Sequence, residues 1–196
     1  MRHPMLRRLA LLALLVLAGC GEDDWRTKDI ASLMPPLAFT LTDERGRTVE
    51  ASRYHGDVTL LYFGYTHCPD VCPATLARLA KTLNGLAPEA REDVRVLFVS
   101  VDPTRDGPQR LTTYTDAFGP AIVGLTGSRA QLDALTKRYR VTYGYGEKDS
   151  DGDYPVSHPS GIFAFDRDGA ARLLIRDGDA PEAVRHDLER LLAEEG

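Results

Sequence analysis

Hydrophobic and polar residues follow one another along the chain in blocks that predict an α/β domain. Near-continuous apolar runs at residues 58–65 and 94–101 are typical of strands buried on both faces. Apolar residues spaced three and four apart after Pro73, Ser128 and Pro181 predict amphipathic helices. Shorter runs predict strands at 37–41, 48–51, 122–125, 162–165 and 172–175. This alternation predicts a central mixed β-sheet flanked by helices, with an N-terminal β-hairpin extension.

The first residues do not fit this pattern. Three arginines precede an apolar run at residues 9–17, which is typical of a secretory signal and shorter than the roughly 20 residues that a membrane span needs. Residues 17–20, Leu-Ala-Gly-Cys, resemble a bacterial lipobox. The resemblance implies cleavage before Cys20 and lipid on its sulfur and new amino terminus. The alternatives are a plain signal peptide or an uncleaved signal anchor, with Cys20 incidental.

We therefore divide the chain into three segments: a lipoprotein signal at 1–19, a lipid-anchored tether at 20–36 and one domain at 37–196. The formal net charge is −5, and it becomes −8 once residues 1–19 are removed, because they contain three arginines and no acid. Nothing in this composition predicts a nucleic-acid partner, since a polyanion calls for a basic patch. The predicted location is the cell envelope, on the periplasmic or extracytoplasmic side of a membrane.

Candidate chemistry lies between the first long strand and its helix, where Cys68 and Cys72 flank three residues. If this stretch approximates one helical turn, the Cα atoms are about 6 Å apart. That spacing permits either a disulfide or two thiolates on one ion. A helix N-terminus is expected to lower the pKa of a thiol. Thiolates favour Cu(I), and an added imidazole extends the preference to Cu(II).

His158 is the candidate imidazole, because the loop before the 162–165 strand is expected beside the thiol pair in a thioredoxin-like sheet. His67 is the rival candidate, although its place at a strand end favours a side chain that points away. A histidine can equally be a surface or core residue with no metal role.

The sequence Phe-Gly-Tyr-Thr-His-Cys-Pro-Asp-Val-Cys-Pro at residues 63–73 strongly resembles the Sco/SenC family of copper-binding proteins. Residues 100–106, Ser-Val-Asp-Pro-Thr-Arg-Asp, and the pattern Tyr154-x-Val156-x-His158 resemble two further blocks of that family. The resemblance covers residue 39 to the C-terminus and implies a thioredoxin-like fold. It also implies that Cys68, Cys72 and His158 bind copper, as Cu(I) or Cu(II).

The same resemblance implies a metallochaperone or thiol reductase that serves the dinuclear copper (CuA) site of cytochrome c oxidase. The expected partners are the oxidase subunit that carries this site, other copper chaperones and periplasmic thiol reductants. The chain departs from many relatives at Pro159, which follows the histidine directly. If Pro159 displaces the His158 ring, for instance through a cis peptide bond, copper binding weakens and dithiol chemistry gains.

Three aspartates accompany the motifs. Asp70 lies between the two cysteines and is interpreted as a solvated loop carboxylate, or as a residue of the second coordination shell or of partner docking, rather than as a direct ligand. Asp102 and Asp106 follow the second long strand, where they either form turns and helix caps or act in the second coordination shell or in partner docking.

Two further functions remain open on the sequence. A thiol–disulfide oxidoreductase would use Cys68 and Cys72 as a redox pair without requiring His158. A peroxiredoxin-type peroxidase would need a threonine and an arginine beside its cysteine. Thr66 is close, but no arginine flanks the motif.

Overall fold

A computed structural model describes residues 24–194. The strands are β1 (Lys28–Asp29), β2 (Thr40–Asp43), β3 (Thr48–Glu50), β4 (Val58–Gly64), β5 (Val94–Ser100), β6 (Ile122–Thr126), β7 (Gly144–Tyr145), β8 (Val156–Ser157), β9 (Ile162–Phe165) and β10 (Ala171–Ile175). The helices are α1 (Val71–Asn84), α2 (Pro88–Glu92), α3 (Pro108–Asp116), α4 (Arg129–Arg138) and α5 (Pro181–Ala193), with a 3₁₀ turn at Ala51–Tyr54.

Eight strands form one mixed sheet in the order β1-β10-β9-β4-β5-β6-β2-β3. The neighbouring pairs β4–β5 and β5–β6 are parallel, whereas β9 runs antiparallel to β4. The predicted hairpin is confirmed, since β2 and β3 pair antiparallel and β2 adds to the sheet through β6. The mixed sheet with flanking helices that the sequence predicted is therefore present.

The centre of the sheet positions the thiol motif. Every residue of β4 is buried, as expected for a strand covered on both faces. The chain leaves β4 at Gly64 and enters α1 at Val71, whose buried residues recur with helical spacing and pack against the sheet. A capping box formed by Ser128 and Gln131 begins α4.

The segment that the sequence predicted as a tether is docked on the domain in the part that the structure describes. Residues from 24 onward pack on the domain: β1 pairs with β10, and Ile30 is buried. The Asp187 carboxylate in α5 accepts hydrogen bonds from the Thr27 amide and hydroxyl, both at 2.8 Å. These contacts use mainly backbone groups and one distant carboxylate, so the local hydrophobic pattern gave no sign of them. Residues 1–19 and Cys20 lie outside the described part of the chain.

The segment 143–155 contains a short strand, β7, near its start. The ladder between β7 and β8 is only two residue pairs long, Gly144 with Ser157 and Tyr145 with Val156. His158 follows β8 directly and is carried by this small hairpin rather than by the main sheet. Within residues 24–194, no helix has the length and apolar character needed to cross a membrane.

Candidate metal centre

The two cysteines occupy the loop after β4 and the first turn of α1. Cys72 is the second residue of the helix and is fully buried. Cys68 is partly exposed, and both side chains are free thiols. The Cys72 amide donates to the Cys68 Sγ at 3.4 Å. The helix N-terminus thus holds the first sulfur directly through a backbone N–H group.

His158 reaches the thiol pair from the other side. Its Nε2 lies 3.2 Å from the Cys72 Sγ, and the three potential ligand atoms of Cys68, Cys72 and His158 all lie within 4.8 Å of one another. The structure therefore brings together the three residues that the sequence selected. Two sulfurs and one imidazole nitrogen are a donor set that suits copper in either oxidation state.

A hydrogen bond of the second ring nitrogen, Nδ1, sets the orientation and the tautomer of His158. Nδ1 lies 3.0 Å from the Pro159 carbonyl oxygen, which can only accept a hydrogen bond. Nδ1 therefore carries the proton, and Nε2 faces the Cys72 sulfur as an acceptor. Pro159 does not displace the ring, and none of the peptide bonds among residues 24–194 is cis. The rings of Tyr62 and Tyr65 meet the imidazole edge-on, with centroids 6.2 and 5.8 Å away.

Burial controls the ionisation of this centre. It raises the pKa of the Cys72 thiol to about 12 and lowers the pKa of His158. The sequence had predicted that the helix N-terminus would lower the thiol pKa. For Cys72 that expectation is wrong, because the cost of a buried thiolate exceeds the helix contribution. In the metal-free protein Cys72 is a neutral thiol, and a metal ion would have to displace its proton.

Two residues of β4 shape the space behind the buried sulfur. A Cβ on Gly64 would lie 2.8 Å from the Cys72 Sγ and 2.6 Å from a ring carbon of Phe98, so only glycine fits. Tyr62 is fully buried, and its hydroxyl lies beside the side chains of Cys72 and Thr75. Burial is the main cause that raises the pKa of the Tyr62 hydroxyl, and the neighbouring Cys72 raises this pKa further.

The rival histidine is directed elsewhere. Nδ1 of His67 lies 3.3 Å from the Thr66 Oγ1 and 3.4 Å from an oxygen of Asp106. His67 is not part of the group of potential ligands around the thiols.

The three aspartates have different surroundings. Asp70 is exposed at the N-cap of α1, where its side chain makes no capping hydrogen bond. Asp106 is fully buried and accepts hydrogen bonds from the Thr66 amide at 2.8 Å and the Ser100 hydroxyl at 2.5 Å. Asp106 therefore ties the start of the thiol loop to the end of β5.

Asp102 is also fully buried, and it contacts two residues to which the sequence analysis had assigned no role. It accepts hydrogen bonds from Arg105 at 2.5 Å and from the Tyr154 hydroxyl at 2.8 Å. Tyr154 and Arg105 stood within the motif blocks, but no local pattern indicates that they meet.

An arginine does approach the thiol loop. The Arg110 Nε donates to the Thr66 Oγ1 at 3.0 Å, although no arginine flanks the motif in the sequence. The Thr66 hydroxyl in turn donates to Asp106 at 2.6 Å. These bonds attach the thiol loop to α3. They provide the threonine and arginine of the peroxidase hypothesis, but the Thr66 hydroxyl is engaged by Arg110, Asp106 and His67.

The fold and the site define a thioredoxin-like protein with a pair of free thiols and an imidazole arranged around one potential metal position. Residues 33–193 match the SCO1/SenC family. The chain belongs to the SCO1/SenC family.

Individual relatives agree with this assignment. The chain is 42% identical over 132 residues to the bovine (Bos taurus) mitochondrial protein SCO2 homolog; the match covers 67% of this chain and 50% of that protein. The chain thus spans about half the length of this relative.

Two solved structures of similar proteins contain copper. The structure of Bradyrhizobium japonicum ScoI with copper bound matches with a TM-score of 0.73 and 36% identity, over 80% of this chain and 99% of that one. Yeast Sco1 with copper bound matches with a TM-score of 0.75 and 27% identity, over 83% of this chain and 91% of that one. Relatives of this fold therefore bind copper, and this chain has a Cys-Cys-His group that could hold a metal ion.

Proposed function

We propose that this protein is a copper metallochaperone that binds one copper ion through Cys68, Cys72 and His158. It delivers the ion to the CuA site of cytochrome c oxidase, or prepares that site to receive it. The convergence of the three ligand atoms within 4.8 Å carries this proposal. The partial exposure of Cys68 supports transfer, because a partner's ligand can approach the ion from that side.

Copper titration of the reduced protein tests this function. Wild type should bind one copper ion and, with Cu(II), show a sulfur-to-copper charge-transfer absorption. Cys68→Ser and Cys72→Ser should each weaken and shift that absorption, since each removes one of the two thiolates, and replacement of both should abolish it. The matched control is Thr75→Ser, a side-chain change one turn further along α1. Copper binding retained after both cysteines are replaced would refute the proposal.

A thiol–disulfide oxidoreductase is the second candidate, and the unequal burial of the two thiols favours it. The partly exposed Cys68 is placed to attack a partner disulfide as a thiolate, forming a mixed disulfide and releasing one partner thiol. The buried Cys72 then attacks the Cys68 sulfur and releases the second partner thiol. Two electrons pass to the partner, the protein is left with a Cys68–Cys72 disulfide, and a periplasmic thiol reductant must restore the dithiol.

Reduction of an oxidase-derived disulfide peptide distinguishes the two candidates. The exchange needs both cysteines but no imidazole, so His158→Ala should leave it intact while lowering Cu(II) affinity. If neither the wild-type protein nor the variants bind copper but the wild-type protein reduces the peptide, the result supports the oxidoreductase function and refutes the chaperone function.

The proposed setting is the outer face of a membrane. The signal at 1–19 and lipid on Cys20 would attach the domain there, where an oxidase subunit and other copper chaperones are accessible. Mass determination of the mature protein tests this: a chain that begins at Cys20 with added acyl mass is expected.

A further inference from the structure

The position of His158 depends on contacts outside the main sheet. The residue follows a hairpin that has only a two-residue ladder, Gly144 with Ser157 and Tyr145 with Val156. One further backbone bond, from Gly146 to Pro155 at 2.8 Å, closes the hairpin. So short a ladder is marginal by itself, and the hairpin must be held against the domain by side chains.

Arg105 makes several of the contacts that attach the hairpin. Its guanidinium lies 3.7 Å from the centroid of the Tyr154 ring. Its Nη2 donates to the Tyr154 carbonyl at 2.8 Å, and its Nη1 lies 3.3 Å from a carboxylate oxygen of Asp153. Stacking combined with several directed hydrogen bonds is an arrangement that arginine provides and lysine does not.

Asp102 fixes this arginine to the body of the protein. One of its carboxylate oxygens accepts from Arg105 Nε at 2.5 Å, and the other accepts from the Tyr154 hydroxyl at 2.8 Å. The Asp102 side chain is completely buried, and that of Arg105 is only 14% exposed. The buried Asp102 carboxylate is paired with Arg105, and loss of that arginine would leave its charge uncompensated.

The cluster connects the hairpin to the strand beside the thiols. Asp102 and Arg105 follow β5, whose Ser100 is in register with Gly64 at the end of β4. The Tyr145 hydroxyl also donates to the carbonyl of Val101, at the same end of β5. His158 lies only four positions after Tyr154 in the chain.

We propose that Asp102, Arg105 and Tyr154 form a clamp that holds the His158 imidazole at the thiol pair and thereby sets the preference of the site for Cu(II) over Cu(I). This inference rests on the proposed copper function and extends it to positioning residues. The two thiolates can hold Cu(I) without the imidazole, whereas Cu(II) binding depends on a nitrogen ligand. A loosened hairpin should therefore weaken Cu(II) binding selectively.

The test compares Cu(I) and Cu(II) affinities of the reduced protein by chelator competition. Tyr154→Phe removes one clamp hydrogen bond and leaves Asp102 paired with Arg105. The double variant Asp102→Asn/Arg105→Leu removes the clamp without leaving a buried charge unpaired. Loss of groups that orient a metal ligand typically costs about 10- to 100-fold in affinity. We expect a loss of that size for Cu(II) in the double variant, a smaller loss in Tyr154→Phe, and wild-type affinity for Cu(I) in both.

Arg47→Leu is the matched control. Arg47 donates from Nε and Nη2 to the buried Asp43, at 2.9 and 2.7 Å, so it forms an arginine–aspartate pair like that of Arg105 and Asp102 but at the β2–β3 hairpin. The Arg47→Leu variant should have the wild-type affinity for Cu(I) and for Cu(II). If the clamp variants change Cu(II) affinity no more than Arg47→Leu does, or weaken both ions equally, the clamp proposal is overturned.

A second readout needs no metal. The imidazole resonances of His158 in the reduced, metal-free protein should shift in the clamp variants and stay unchanged in Arg47→Leu. Unshifted resonances in the clamp variants would refute the positional role. If the wild-type protein binds neither Cu(I) nor Cu(II), the proposed copper function and the ion preference are both refuted. The His158 resonances then still show whether the clamp positions the imidazole ring.

Discussion

The Cys72 sulfur and the His158 Nε2 lie 3.2 Å apart, although 86 positions separate the two residues in the chain. The contact forms because β9, which follows the histidine, pairs directly with β4, which precedes the cysteine. Neighbouring strands thus bring the thiol loop and the histidine loop to one edge of the sheet.

Replacement of His158 should separate the two proposed chemistries. His158→Ala removes the only imidazole in the potential ligand group, so Cu(II) affinity should fall by about 100-fold or more and the charge-transfer absorption should change. Cu(I) binding should persist through the thiolates. His67→Ala is the control, because that ring faces Asp106. Wild-type Cu(II) binding by His158→Ala would exclude the third ligand.

Gly64→Ala should disturb the buried sulfur. The new methyl group would lie 2.8 Å from the Cys72 Sγ and 2.6 Å from the Phe98 ring, and both side chains must move. Overpacking of this kind costs about 1–3 kcal/mol in unfolding free energy, which denaturant titration measures. Gly178→Ala is the control, since nothing lies within 4 Å of its added carbon. Equal stabilities of the two variants would show that the strand end relaxes freely.

Alkylation should distinguish the two thiols. Cys68 is partly exposed, whereas Cys72 is buried and its burial raises the pKa of the thiol to about 12. The thiolate is the reactive form, so iodoacetamide should modify Cys68 well before Cys72 in the reduced protein. Mass spectrometry of Cys68→Ser and Cys72→Ser measures each rate separately. Faster modification of Cys72 would mean that the helix N-terminus opens readily.

Asp187 should stabilise the docked N-terminal segment in a pH-dependent way. Burial by itself would raise the pKa of this carboxyl, but hydrogen bonds from the Arg26 amide, His186 and Thr27 outweigh burial and hold the pKa below its usual value. A lowered pKa in the folded state means that the stabilisation is present above the unfolded pKa, about 3.9, and is lost as pH falls through the folded value.

Asp187→Asn should therefore cost about 1–3 kcal/mol at pH 7, and the difference from wild type should shrink below about pH 4. Denaturant unfolding at several pH values measures it. Glu189→Gln, at an exposed position on the same helix that lies 3.8 Å from Arg185, should stay within about 0.5 kcal/mol of wild type. A pH-independent difference for Asp187→Asn would contradict the assigned cause.

The sequence by itself determined the sheet, the main helices and the thiol motif. Local rules suffice for these features: a continuous apolar run predicts a buried strand such as β4, and helical spacing predicts α1. The motif around Cys68 and Cys72 and the pattern ending in His158 were sufficient to select the three residues that converge. The paired cysteines also lie where the strand-to-helix transition was expected.

Tertiary structure alone decided the environment of those residues. The pKa of Cys72 depends on how completely the sheet and helix bury it, which no local pattern states. The clamp of Asp102, Arg105 and Tyr154 and the contact of Arg110 with Thr66 join segments about 40 to 50 residues apart. Docking of residues 24–36 depends on the pairing of β1 with β10 and on the Asp187 carboxylate near the C-terminal end of the chain. Such contacts arise from the packing of whole elements, whereas sequence patterns report only which face of each element is apolar.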